Sequence, residues 1–174
     1  NSLNSQITLH NNIFESNEFP MNPLLFFSLS NQLNLQWLTF INNKGNTLIY
    51  ITQSQKAFLS NMNFFNNTGN SIKTIDLLYQ NYTEMLFINN KGEISIPGID
   101  ILTNSLIQIK GVYLDSIIFK DNQYYSTEDK NAIGTALSLK NVLFSSITNT
   151  TFIHNTACFN KSSFGGPCII FRGH

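Results

Sequence analysis

The side chains that could do chemistry in this chain are few and scattered. Asp76, Asp100, Asp115 and Asp121 could hold calcium, or act as paired acids on a glycosidic bond, only if folding gathered them. Asp115 and Asp121 lie close in sequence, but Asp121 precedes a turn asparagine and is expected to face solvent. His10, His154 and His174 are far apart, and a lone histidine is more often structural than a ligand. Arg172 is the single arginine. No glycine-rich phosphate loop, nucleophile elbow or zinc spacing occurs. The expectation is a protein without a catalytic, cofactor-binding or metal site, and therefore not an enzyme.

Two further sets of residues invite covalent chemistry. Cys158 and Cys168 flank the stretch from Phe159 to Pro167, and an even count with a short loop permits a disulfide. The alternative is a pair of buried free thiols. Asn66, Asn81, Asn149 and Asn160 each begin an Asn-x-Ser/Thr acceptor for N-glycosylation. An asparagine-rich chain produces such triplets by chance. Asn66 is expected in a turn and Asn149 before a core strand, with Asn81 and Asn160 in loop-like settings that would suit modification.

The elements that must position all of these are repeats. Aligned on an aromatic, the chain reads L-x-x-L-x-F-x-x-N around Phe14, Phe40, Phe64, Phe87, Phe119 and Phe152. The closing asparagines are Asn17, Asn43, Asn67, Asn90, Asn122 and Asn155. Spacings of roughly 23 to 33 residues indicate stacked supersecondary units, each burying a face only against its neighbour. Two architectures share this core, the leucine-rich repeat and the parallel β-helix. A leucine-rich repeat wants leucine two positions after the asparagine. Here stand Gly45, Gly69, Gly92 and Ala157, with Phe19 and Tyr124 as departures. Small residues suit a tight turn in which glycine takes positive φ. The segments beyond these turns are strand-like rather than amphipathic helix, as in Leu48-Ile49-Tyr50-Ile51 and Cys168-Ile169-Ile170-Phe171. The expected fold is therefore all-β, a right-handed parallel β-helix of about six coils, with the leucine-rich-repeat solenoid as alternative. The six phenylalanines should stack inside it, and the six asparagines should form a hydrogen-bonded ladder at the strand spacing of about 4.8 Å. Prion-like low complexity is the competing account of the asparagines, but these keep register with the aromatics.

The stretch from Ile147 to Ala157, followed by Gly165-Gly166-Pro167-Cys168-Ile169-Ile170, resembles the repeat of polymorphic outer-membrane-protein-type and related pectin-lyase-like β-helices. The other repeats share its F-x-x-N core and lack the Gly-Gly. The resemblance implies a right-handed parallel β-helix of the kind found in large secreted or surface-attached proteins. It carries over no catalytic residue.

Length and charge agree with this picture. The 174 residues suffice for one domain, 1–174, with loop insertions near 91–105 and 123–131. Both ends lack a polar cap, so a fragment of a longer chain is expected. With 10 basic and 10 acidic residues and a net charge of zero, the chain lacks the basic stripe that nucleic acid requires. No apolar run approaches the length of a membrane span. Trp37 stands where the other repeats are polar, and packing beneath a loop is expected for it. The functional expectation is a structural or adhesive segment of an extracellular or cell-surface protein. Its partners would be further coils, other protein chains or glycans. The alternative is a carbohydrate-binding or polysaccharide-cleaving domain with its groove near 123–131.

Overall fold

A computed structural model describes residues 5–92, 98–102, 109–126, 136–159, 162–164 and 169–172. They form an all-β protein in which successive units repeat the same strands. The first unit holds β1 (Gln6–Glu15), β2 (Glu18–Phe19) and β3 (Leu25–Ser28). The second and third hold β4 (Gln32–Ile41) with β5 (Lys44–Thr52), and β6 (Lys56–Phe65) with β7 (Thr68–Ile75). The fourth and fifth hold β8 (Tyr79–Ile88), β9 (Lys91–Gly92), β10 (Ile99–Leu102), then β11 (Gly111–Lys120), β12 (Gln123–Ser126), β13 (Leu137–Lys140). The last comprises β14 (Ser145–Thr148), β15 (Thr151–Ile153), β16 (Thr156–Phe159), β17 (Ser162–Phe164) and β18 (Ile169–Arg172). Two sheets result, one ordered β1-β4-β6-β8-β11-β14 with β15 also on β11, the other gathering the remaining strands. The strand pairs are parallel except β16 with β17. Among the described residues there is no helix.

A parity break explains the spacing of the apolar residues. In β4, Leu33 and Leu35 are buried, Gln36 and Trp37 are both exposed, and burial resumes at Leu38 and Phe40. Trp37 has φ of 57° and shifts the two-residue alternation by one. The same bend recurs at Asn11, Asn61, Glu84, Ser116 and Asn149. A second left-handed position precedes each ladder asparagine, at Ser16, Asn42, Asn66, Asn89, Asp121 and His154. A third occurs at Leu29, Gln53, Asp76 and Asn141. Asparagine and aspartate tolerate this conformation better than other non-glycine residues, which accounts for much of the asparagine content at turns.

The structure corrects three expectations. The left-handed turn residue is the one before the ladder asparagine, not the small residue after it; among the described residues only Gly69, at φ of 116°, is a glycine with positive φ. Gly45 is needed for space, because a Cβ there would overlap the Phe19 ring. That ring explains why the first repeat departs from the small-residue pattern. The stretch from Glu18 to Pro23, whose Pro20 and Pro23 lead one to expect a loop, begins with the short strand β2 on Lys44 and Gly45. Trp37 does not pack beneath a loop: it is 57% exposed.

The fourth unit is longer than the third at two places, one of them between Leu102 and Gly111, which pair with Ile75 and Tyr79. Thr68 pairs with Lys91 and Ile72 with Ile99, so the fourth unit carries extra chain between those positions. Gln123 pairs with Lys91 and Leu137 with Ile99, and the fifth unit carries more. The parts of the expected insertions at 93–97, 103–105 and 127–131 lie outside the described residues.

One buried polar cluster replaces apolar residues of the neighbouring unit. Thr74 and Tyr82 both donate hydrogen bonds to Gln80 Oε1, at 2.8 and 2.6 Å. All three side chains are buried, and Gln80 Nε2 has no partner. Burial also pushes the Tyr82 phenol well above its usual range. The paired positions one unit earlier are Ile51, Ala57 and Leu59. Tyr82→Leu alone should destabilise by about 1–3 kcal/mol, since it strips a partner from a buried carbonyl and leaves a void. The triple change Thr74→Ile, Gln80→Val, Tyr82→Leu should be neutral or stabilising. Urea denaturation of both variants checks this, and a triple variant weaker than the single one would refute it.

Candidate functional site

Each ladder asparagine closes its turn on the next. Asn67 donates its backbone N–H and its Nδ2 to Asn90 Oδ1 at 3.0 and 3.1 Å. Its Nδ2 also reaches the Phe40 carbonyl of the preceding unit at 2.9 Å. The backbone and Nδ2 bonds repeat from Asn17 to Asn43, Asn43 to Asn67, Asn90 to Asn122 and Asn122 to Asn155. Beside the ladder the phenylalanine rings stack at 4.9, 4.9, 4.7, 4.8 and 5.2 Å from Phe14 through Phe40, Phe64, Phe87 and Phe119 to Phe152. These twelve residues are parts of the frame, buried except for the partly exposed Phe14, Asn17 and Phe152 at the ends of the rows.

The outer surface of the first sheet offers chemistry to a ligand. Outward positions upstream of the bend align in ranks. One runs Asn34, Phe58, Asn81, Tyr113, Ser146, and another Gln32, Lys56, Tyr79, Gly111. Phe58, Tyr79, Tyr113 and Phe144 expose 37, 41, 44 and 51% of their surface. Tyr113 and Phe144 are in contact, with ring centroids 5.6 Å apart. The Tyr113 ring occupies the space above Gly111 that a side chain would fill. Lys56, Phe58, Tyr79, Asn81 and Tyr113 border an open groove of about 390 Å³. Further along this face Asp115 accepts from Thr148 Oγ1 at 2.6 Å, Asn149 Nδ2 at 2.8 Å and Ser116 Oγ at 3.0 Å. Those bonds, Thr148 foremost, hold its carboxyl below the usual carboxylate range. Reading the alternate residues upstream of each core strand would have found this aromatic track; alignment on the core phenylalanine alone passes over it.

The remaining candidates are dispersed. Asp121 is half-exposed, 3.5 Å from exposed His154 and 4.0 Å from Lys120. His10 Nδ1 is 3.2 Å from Asn11 Nδ2. Among the described residues no group of three or more His, Cys, Asp or Glu side chains could hold a metal ion. Asn81, expected in a loop, stands in the middle of β8. Asn66 sits exposed at a turn, accepting from Asn89 Nδ2 at 2.8 Å, and Asn149 lies exposed at the bend before β15. Asn160 and the Cys158 and Cys168 thiols, whether bridged or free, fall outside the described residues and side chains. No helix among the described residues is long and apolar enough to cross a membrane.

The frame defines the class: an all-β protein with parallel sheets, stacked by an asparagine ladder and a phenylalanine column. Comparison with protein-family models, curated proteins and solved structures found no match for this chain.

Proposed function

We propose that the chain is a right-handed parallel β-helix of the pectin-lyase-like kind, serving as a structural or adhesive, non-enzymatic segment of a large extracellular or cell-surface protein. The supporting observation is the unbroken register of ladder and ring column, from Asn17 to Asn155 and from Phe14 to Phe152. A column in which every unit is bonded to the next resists bending, and such a frame suits a spacer, filament or display surface. An antibody raised against the folded chain should label intact cells of the source organism. Labelling only after permeabilisation would sink the surface assignment.

A second reading, saccharide binding, is favoured by the aromatic track. The C–H faces of a pyranose ring pack on aromatic faces, while its hydroxyls need amide and carboxylate partners such as Asn81 and Asp115. This moves the candidate groove from 123–131 to the face formed by β6, β8 and β11. Glycan-array screening followed by calorimetry should identify a ligand whose affinity falls about tenfold or more in Tyr113→Ala. A hit insensitive to that outward-facing change would place binding elsewhere.

A further inference from the structure

Downstream of the bend, the first sheet carries one outward rank that is apolar over three successive units, beside a mixed rank that runs Ile13, Thr39, Asn63, Leu86, Ile118, Thr151. The first of these runs Glu15, Ile41, Phe65, Ile88, Lys120 through five successive units and continues to Ile153 in the sixth. Ile41, Phe65 and Ile88 stand half-exposed between an exposed acid and an exposed base. The order of the first five members is self-complementary, with Ile153 beyond the overlap. Reversed about Phe65, the rank sets Lys120 opposite Glu15 and Ile88 opposite Ile41. In the neighbouring rank the same reversal sets Ile118 opposite Ile13, which are 36 and 71% exposed, Leu86 opposite Thr39, and Asn63 opposite its own copy.

We propose that this strip is where two copies of the chain associate face to face and antiparallel. The two-fold axis runs along the strand direction through the unit that contains Phe65. Such an axis reverses the order of units while keeping each rank opposite itself, so Phe65 meets its own copy at the centre. Glu15 and Lys120 then pair at both ends, as an isologous interface requires. Charge selects this arrangement. A parallel pairing in the same rank would set Glu15 against Glu15 and Lys120 against Lys120. Shifted by one rank, it would leave both charges facing isoleucine. The Lys120–Asp121 contact, at 4.0 Å between half-exposed groups, is too weak to hold the ammonium away from a partner. The strip spans about 20 Å at the strand spacing and is only two ranks wide. That is well below the area of a standard specific interface, so only weak, concentration-dependent dimerisation is expected.

Sedimentation equilibrium of the chain at concentrations up to about millimolar tests this. The wild type should form dimers. Glu15→Lys and Lys120→Glu, each of which brings like charges together twice, should each weaken association by roughly tenfold. The double swap should restore it, and Phe65→Lys should abolish it. Circular dichroism confirms that these surface variants remain folded. A wild type that stays monomeric throughout overturns the proposal. So does a dimer indifferent to the single swaps, or a double swap no tighter than either of them.

Discussion

Asn67→Asp is expected to cost about 3–5 kcal/mol at pH 7, a large share of a typical domain's total stability. The side chain is fully buried. Its Oδ1 accepts from the Asn43 backbone N–H at 2.9 Å and from Asn43 Nδ2 at 3.0 Å. A carboxylate keeps those bonds. It cannot replace the two donated ones, and its second oxygen would face the Phe40 carbonyl and Asn90 Oδ1, both acceptors. Protonation restores one donor. The folded state therefore binds that proton more tightly than the unfolded chain, and the folded pKa is raised. By linkage the variant loses stability as pH rises from the free aspartate value, about 3.9, through the folded value. Its deficit should accordingly shrink on acidification towards pH 4, relative to wild type at the same pH. Asn67→Ala should cost about 2–4 kcal/mol with no such pH dependence, because it orphans the Asn43 N–H and the Phe40 carbonyl without adding a charge. Chemical denaturation at two pH values separates the variants. A deficit of Asn67→Asp that does not change with pH would show that the ladder does not hold its second oxygen among acceptors.

Phe64→Ala should cost about 3–5 kcal/mol. The ring is fully buried between Phe40 at 4.9 Å and Phe87 at 4.7 Å, nearly parallel to both. Truncation removes two stacking contacts and leaves a void that β-strands fixed on both sides cannot collapse to fill. Phe152→Ala is the comparison. That ring touches Phe119 at 5.2 Å and is only partly buried. Its loss should be about half as costly, since the cost follows the contact and void actually lost. Equal losses at the two positions in urea denaturation would mean that stability does not accumulate along the ring column.

Much of the frame is legible in the sequence. The F-x-x-N core recurs with its register intact, so Phe14 to Phe152 and Asn17 to Asn155 can be named as two aligned columns. The hydrogen bonds and ring contacts join those same residues. The backbone is less legible. Glycine after the asparagine suggests the left-handed turn, yet Asn42, Asn66 and Asn89 adopt it. A propensity for positive φ belongs to a residue type, whereas the place where the chain must turn belongs to the stack. Asn81 misleads for a related reason. Its acceptor triplet and polar neighbours read as loop, but pairing with Phe58 and Tyr113 on either side draws it into a strand.

The inward-facing pattern was determined by the sequence itself, because burial strongly favours apolar or hydrogen-bonded side chains and so leaves a periodic mark in a linear string. Only the tertiary structure decided the outward surface: the track of Phe58, Tyr79, Tyr113 and Phe144, the three donors on Asp115, and the rank from Glu15 to Lys120. Solvent imposes no period on outward residues. Residues such as Glu15 and Lys120 are far apart along the chain, and they acquire a common rank only when strands of successive units pair.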